Sequence, residues 1–206
     1  NTPHRELSYF IFDLIPSNQD KTNILQEMKG LISDYPVFNK RLNKEETELG
    51  FMNTLNLKNF ISEHGDNRYE VTMLSTEEFG KLEETQNIRN GIIQPYIFDE
   101  ICSMGRIIDQ DSDSVSIVYL EREIYASDQT LNEIYSEVFE FIDKNKKITD
   151  LKKVGQDINK KPRNVTLEKM DESVPGLGVS RQIVRWAFNN ETNLNETNFF
   201  DLQNKY

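Results

Sequence analysis

Apolar and polar positions change rhythm along Ser116–Asp143 (SIVYLEREIYASDQTLNEIYSEVFEFID), and the change marks a strand passing into a helix. Val118, Leu120 and Ile124 stand among polar neighbours in a stretch rich in β-branched and aromatic residues, which favours extended backbone. Beyond Ser127, the apolar residues Leu131, Ile134, Tyr135, Val138 and Ile142 recur at steps of three and four. They share one face of a helix, and that face needs cover. Ser127 offers its hydroxyl to the free N–H groups of the first turn, with Asp128 where the helix dipole favours negative charge. Ser8–Asp34 (SYFIFDLIPSNQDKTNILQEMKGLISD) has the same pattern. Aligning Ser17 with Ser127 gives a shift of 110 (127 − 17), which places Ile24, Leu25, Met28, Leu31 and Ile32 on Ile134, Tyr135, Val138, Phe141 and Ile142. Any two strand-to-helix units share some likeness, but five matched apolar positions behind a matched cap predict an internal repeat.

Between and after these units the pattern predicts further elements. Tyr35-Pro36 interrupts the first helix, and Val37, Phe38 and Leu42 predict a short second one, with Lys44–Leu49 continuing it or looping out. Phe51, Leu55, Leu57, Phe60 and Ile61 give another helix signal, which ends at the turn His64–Asn67. Tyr69–Leu74 reads as a strand, Ser75 as the cap of a short helix bearing Phe79 and Leu82, and Asn90-Gly91 as a turn. Ile92–Phe98 and Ile101–Ile108 form a hairpin around Asp99-Glu100, and Asp109–Ser114 reads as an acidic joint between the copies. In the second copy, Ile148, Leu151, Val154 and Ile158 predict a helix, and Val165 with Leu167 a strand. Pro175–Gly178 is a loop, after which Ser180 caps a helix carrying Ile183, Val184, a half-buried Trp186, Ala187 and Phe188. Asn198–Leu202 resembles the first hairpin strand, with Phe199 and Phe200 near the places of Tyr96 and Ile97. No counterpart of Ile101–Ile108 follows, so the second sheet is expected to present an open edge and the natural chain to continue beyond Tyr206. The fold class expected is α+β, in two tandem domains, 1–110 and 111–206, each a small antiparallel sheet with helices on one side.

Composition narrows the partners. The 206 residues suffice for two small domains, and 36% hydrophobic with 29% charged residues describes a polar-surfaced globular chain. No apolar run approaches a membrane span, so this stretch is expected to make no membrane contact. It starts at Asn1 with neither initiator Met nor signal pattern, and so reads as a processed or trimmed piece with any anchor upstream. A net charge of −11 repels a phosphate backbone and argues against nucleic acid. The basic run from Lys144 to Arg163 lacks interleaved aromatics and reads as a solvated helix face. Cys102 is the single cysteine; no internal disulfide can form, and Ile101 and Met104 beside it point to a buried, inert thiol.

Catalytic motifs do not occur. The chain has no P-loop, GxGxxG, GxSxG, HExxH or CxxC, and Gly176-Leu177-Gly178 lacks the third glycine of a nucleotide cradle. His4 and His64 have no orienting partner in sequence. Glu45-Glu46, Glu77-Glu78 and Glu83-Glu84 are adjacent pairs that point apart on a helix. Asp109, Asp111 and Asp113 open like a calcium loop, but Ser114 stands at its glycine position and Leu120 at its bidentate glutamate. Asn164, Asn190 and Asn195 begin glycosylation sequons, which matter only in a secretory pathway that uses them. No catalytic residue, metal ligand or cofactor is assigned.

Three segments carry a resemblance: SYFIFDLIPSNQDK (Ser8–Lys21), IVYLEREIYASDQTLNEIYSEVFEF (Ile117–Phe141) and SRQIVRWAFNNET (Ser180–Thr192), with Arg185–Phe188 the most specific part. They resemble segments of the SurA/PpiD-like peptidylprolyl isomerases, the membrane-anchored, parvulin-type periplasmic folding factors of Bacteroidetes-type bacteria. The order strand, two helices, strand, short helix, hairpin is also that of the parvulin fold. The resemblance implies two tandem degenerate parvulin-like domains, the second lacking its closing strand. It further implies a periplasmic protein, anchored to the inner membrane by a segment upstream, that handles unfolded or newly exported polypeptides. Active parvulins carry a histidine on the first strand and another on the last. Here the first-strand places fall near Tyr9 and Tyr119, and Cys102–Ile108 holds no histidine. A catalytic domain is expected between two such segments in the family, whereas Asp109–Ser114 joins them directly.

The function expected is therefore a non-catalytic peptide-binding, chaperone or spacer module. Tyr96, Phe98, Phe199 and Phe200 are the candidate groove residues, with ordinary core burial as their alternative role. A second reading is a divergent active isomerase, since a barrier near ~20 kcal/mol that needs little proton transfer can be lowered by a shaped apolar pocket. A third is a subunit-contact module.

Overall fold

The strand-to-helix pattern is realised in both copies, and each strand joins a sheet that its own helix does not cover. The structure, a computed structural model, describes residues 3–145 and 151–202. β1 (His4–Tyr9) leads into α1 (Asn18–Gly30). Ser17 and Asp20 form a reciprocal capping box, in which the Asp20 N–H donates to Ser17 Oγ at 3.2 Å and the Ser17 N–H to Asp20 Oδ2 at 2.8 Å. Such a cap is worth about 0.5–2 kcal/mol.

The helix expected around Val37–Leu42 is instead a hairpin, β2 (Tyr35–Asn39) paired with β3 (Lys44–Glu48). The Asn39 side chain accepts the N–H groups of Arg41 and Leu42, and Asn43 adopts φ 48°, so local turn chemistry overrides the apolar spacing. α2 (Leu57–His64) follows, capped by Asn56; Phe51, expected to open this helix, lies before it and is fully buried.

β4 (Val71–Ser75) runs into α3 (Thr76–Lys81) through a second capping box between Ser75 and Glu78. A short 3-10 turn, Glu83–Asn87, precedes β5 (Ile88–Arg89) and β6 (Ile92–Phe98). Both residues of the Asn90-Gly91 turn have positive φ, 51° and 75°, the geometry a two-residue hairpin requires. β7 (Ile101–Gln110) and β8 (Ser114–Glu123) come next. Asp109–Ser114, expected as a joint between domains, is the tight turn joining these two strands. Asp111 Oδ1 accepts the N–H groups of Asp113 at 2.8 Å and Ser114 at 2.7 Å, and these bonds hold its carboxyl below the usual range. The remaining elements are α4 (Asp128–Lys144), α5 (Leu151–Asp157), β9 (Arg163–Glu168), β10 (Ser173–Val174), β11 (Gly178–Val179) and α6 (Arg181–Ala187). Ile148 of the expected second-copy helix lies outside the described residues. Ser180 precedes α6 without capping it; its hydroxyl donates to the carbonyls of Leu177 and Gly178.

The chain divides into an inserted unit, Pro16–Ser127, and a split unit, Asn1–Ile15 with Asp128–Tyr206. The expected segments 1–110 and 111–206 thus each contribute one strand to the other unit. The inserted unit holds a five-stranded antiparallel sheet, ordered β4-β8-β7-β6-β5. β8 is an interior strand, paired with β4 on one edge (Val71 opposite Val118) and β7 on the other (Met104 opposite Leu120). Where β4 ends, Asn67 takes over, its Oδ1 accepting the Glu121 N–H and its Nδ2 donating to the Tyr119 carbonyl, each at 3.0 Å.

Cys102–Gly105 and Val115–Val118 are buried without alternation, so both faces of the sheet require cover. Ile92, Cys102, Met104, Val118 and Leu120 pack with Met28 of α1 and Phe60 and Ile61 of α2. On the opposite face Ile93, Val115 and Ile117 pack with Leu74, Ile88 and Phe79 of α3. Helices therefore flank both faces of this sheet, not one as expected. In the split unit β1 pairs with β9, Leu7 opposite Val165, and a core of Leu167, Val174, Leu177, Ile183, Val184 and Ala187 packs beneath them.

Two outcomes are expected. Residues 16–127, expressed alone, melt cooperatively by circular dichroism, whereas residues 1–110, which lack the interior strand β8, do not fold; the reverse would refute the strand assignment. Leu120→Ala, at a fully buried β8 position, lowers the unfolding free energy in urea by about 2–5 kcal/mol.

Candidate functional site

In each unit the strand at the head of the repeat decides what the sheet face can hold. In the inserted unit that strand is β8, and the side chain at the first-strand place is Tyr119. It packs, half-buried, beside Ile93 and Ile117 with Tyr96 and Ile107, and leaves little free volume between them. A Cβ added at Gly105 would lie 2.9 Å from Ile93 Cδ1 and 3.1 Å from both Ile117 Cγ2 and Tyr119 Cε1, which measures how closely this face is filled. The Tyr96 hydroxyl donates to Glu84 Oε1 at 3.4 Å. Burial first, and the Glu84 carboxylate second, hold the Tyr96 phenol above its ordinary value; burial and then Glu84 and Glu121 do the same at Tyr119. Neither tyrosine can exchange a proton near neutral pH. Across the sheet, burial pushes the free Cys102 thiol up to about 11, as expected of an inert cysteine.

The split unit is built differently. A cavity of about 330 Å³ lies within it. One wall is the strand β1 with its continuation Phe10–Phe12, and the facing wall is the segment 192–202. Val138, Phe141 and Ile142 of α4 close one side; Leu177 with Ile183, Trp186 and Ala187 of α6 close the other. Ring contacts set the walls: Phe10 and Phe12 meet Phe141 at 5.7 and 5.8 Å, and Trp186 meets Phe200 edge-on at 5.6 Å. On the α4 side Phe199 packs between Tyr135 and Phe139 at 6.1 and 5.5 Å, and the Tyr135 hydroxyl donates to Asp201 Oδ2 at 3.0 Å. Tyr9, the other first-strand tyrosine, turns to the α6 side, where its hydroxyl donates to the Pro175 carbonyl at 2.7 Å. The volume sits at the lower end of the ~300–1,000 Å³ typical of ligand clefts, and the apolar and aromatic side chains share the lining with Arg5, Glu6, Asn193, Asn195 and Glu196.

The four candidate groove residues fall on two units. Tyr96 is half-buried and Phe98 is 71% exposed at the β6–β7 turn, both in the inserted unit. Phe199 and Phe200 line the cavity of the split unit. Phe199 lies on the α4 side, the face Ile97 takes relative to α1, so its correspondence to Tyr96 slides by one residue. Phe10, Phe12, Phe141 and Trp186 complete the walls; of these only Phe141 is marked by the sequence pattern, through the 110-residue shift.

Neither histidine lines the cavity. His4 is an exposed β1 residue opposite Glu168, and His64 Nε2 lies 3.1 Å from the Tyr35 hydroxyl with its ring 4.4 Å from Phe60. Among the described residues no three His, Cys, Asp or Glu side chains gather as a metal site. No family model matches the chain, and comparison with curated proteins and with solved structures gives no match.

The two tyrosines make a pH prediction. Their raised values mean that the folded state holds its phenolic protons more tightly than the unfolded state, whose value is near 10.0. This contribution is whole below pH 10 and is lost as pH rises through the folded values. Alkaline denaturation is therefore expected to be steeper in the wild type than in Tyr96→Phe, and equal slopes would remove the assignment.

Proposed function

We propose that this chain is a non-catalytic peptide-binding module of an extracytoplasmic, SurA/PpiD-like folding factor. Its clients are unfolded or newly exported polypeptides, and both of its units are degenerate parvulin-like domains. The cavity of the split unit carries this reading, because it joins an apolar, aromatic-walled cleft to a strand with one edge unpaired among the described residues. That combination suits extended peptide: main-chain groups give affinity and apolar pockets a broad selectivity. The strand order β4-β8-β7-β6, with a capped helix leading from β4, supports the parvulin likeness. The non-catalytic part is supported by Tyr119 packed into the first-strand place and by the absence of histidine from β7.

A paired assay tests it. The chain is expected to suppress aggregation of a denatured client while leaving isomerisation of a chromogenic proline peptide at its uncatalysed rate. Phe199→Asp, which puts a carboxylate into the cavity wall, is expected to weaken client capture about tenfold. Accelerated isomerisation abolished by the same substitution would establish the divergent-isomerase reading instead. Silence in both assays would leave a spacer.

A further inference from the structure

The face of the inserted sheet that α3 covers at one end continues past that helix as a lattice of side chains from β6, β7 and β8. Strand register defines three cross-strand rows. Ile93, Gly105 and Tyr119 make the first, Tyr96, Ser103 and Glu121 the second, and Phe98, Ile101 and Glu123 the third. No row holds a basic residue. The two arginines of these strands serve the opposite face, where Arg106 donates to the carbonyls of Phe51 and Thr54 and Arg122 pairs with Glu27 at 2.9 Å. Glu84 enters from the 3-10 turn and accepts the Tyr96 hydroxyl. Burial and then carboxylates, Glu84 and Glu121, raise the phenols of Tyr96 and Tyr119, and no cation offsets them. Among the described residues no Lys, Arg or His forms an ion pair with Glu84, Glu121 or Glu123.

Ser103 stands at the centre of this lattice and is 5% exposed. Its hydroxyl has no hydrogen-bond partner, whereas every fully enclosed side-chain nitrogen or oxygen among the described residues has one, so the hydroxyl reaches the surface between its row neighbours Tyr96 and Glu121. Two carboxylates, a serine hydroxyl and two ring faces thus meet at one place, all suited to a cationic donor. One row on, about 7 Å along the strands, the exposed side chains of Phe98 and Ile101 lie opposite each other as an apolar shelf.

We propose that this face binds an arginine side chain of a partner polypeptide, the guanidinium held between Glu84 and Glu121 above Ser103 and an adjacent apolar residue seated on Phe98 and Ile101. Charge complementarity selects the partner: the face is acidic, without a cation of its own, in a chain of net charge −11. A guanidinium fits better than an ammonium, because its planar fork donates to two acceptors at once and stacks on a tyrosine ring. The shelf specifies a polypeptide rather than a free guanidinium compound, since it takes a residue next to the arginine. This site shares no residue with the cavity of the split unit, so it stands or falls independently of the function proposed for that cavity.

The probe is the acetylated, amidated pentapeptide ALRLA, beside a version with citrulline in place of arginine, which keeps the planar head and removes its charge. Amide resonances of residues 98–103 and 119–123 report binding to the full chain. The arginine peptide is expected to shift them saturably and more weakly as salt is raised, while the Trp186 indole signal of the split unit stays in place. The citrulline peptide is expected to bind about tenfold more weakly, and Glu121→Gln to weaken the arginine peptide by a similar factor. Ser103→Ala, which removes the hydroxyl and no charge, is expected to cost about threefold. If either variant fails to fold, the citrulline peptide makes the test on the wild type. Acetylarginine amide, with no neighbour for the shelf, is expected to bind more weakly than the peptide.

Equal binding of the arginine and citrulline peptides would overturn the proposal, as would shifts confined to the split unit. Equal binding of the peptide and acetylarginine amide would overturn the choice of a polypeptide. Glu121→Gln that moves the resonances of residues 98–103 without added peptide, in a wild type that binds none, would assign the face to a cation of the chain itself and overturn the choice of a partner. Loss of client capture by Phe199→Asp with the arginine peptide still bound would show that the two sites act separately.

Discussion

The pairing of β8 on both edges is the constraint on which the architecture turns. A strand buried on both faces and bonded on both edges is the costliest one to remove from a sheet, because every polar main-chain group it satisfies would otherwise be orphaned. β8 is such a strand in the inserted unit, yet the helix that follows it, α4, packs in the split unit. β1 and α1 are related in the opposite sense. Each repeat thus lends its leading strand to the other, and the chain passes between units at Ile15–Pro16 and again at Ser127–Asp128.

Among the described residues the sheet of the inserted unit has five strands and the sheet that holds β1 has two. In the inserted unit β7 fills the place beside β8, tyrosines fill the face above, and a methyl group added at Gly105 would have to displace its neighbours. In the split unit the corresponding helix residues meet a cavity.

Much of the local structure was legible. The caps at Ser17 and Ser75, the Asn90-Gly91 and Asp99-Glu100 turns and the strands Ile92–Phe98 and Val165–Leu167 all rest on interactions within a few residues, and each is found. The errors have the same origin. Val37, Phe38 and Leu42 had helical spacing, but the Asn39 side chain and the Asn43 backbone closed a hairpin instead. The aspartates at Asp109–Ser114 read as a solvated joint because turn and linker share a composition, and only the pairing of β7 with β8 tells them apart. Within the candidate site, Phe199 and Phe200 stood out as aromatic, while Phe10, Phe12 and Trp186 belong to it through contacts their own neighbourhoods do not announce.

The sequence by itself determined the strand-to-helix pattern at β1–α1 and β8–α4, the element types wherever capping and turn chemistry were local, and a single buried cysteine without a disulfide partner. Tertiary structure alone decided which helix each leading strand would serve, and hence where a cavity could exist. The reason is physical: a strand's apolar pattern states that its faces must be covered, but not by whom. β1 and β8 carry compatible patterns, so the choice between their sheets rests on partners far away in sequence, β9 for one and β4 with β7 for the other.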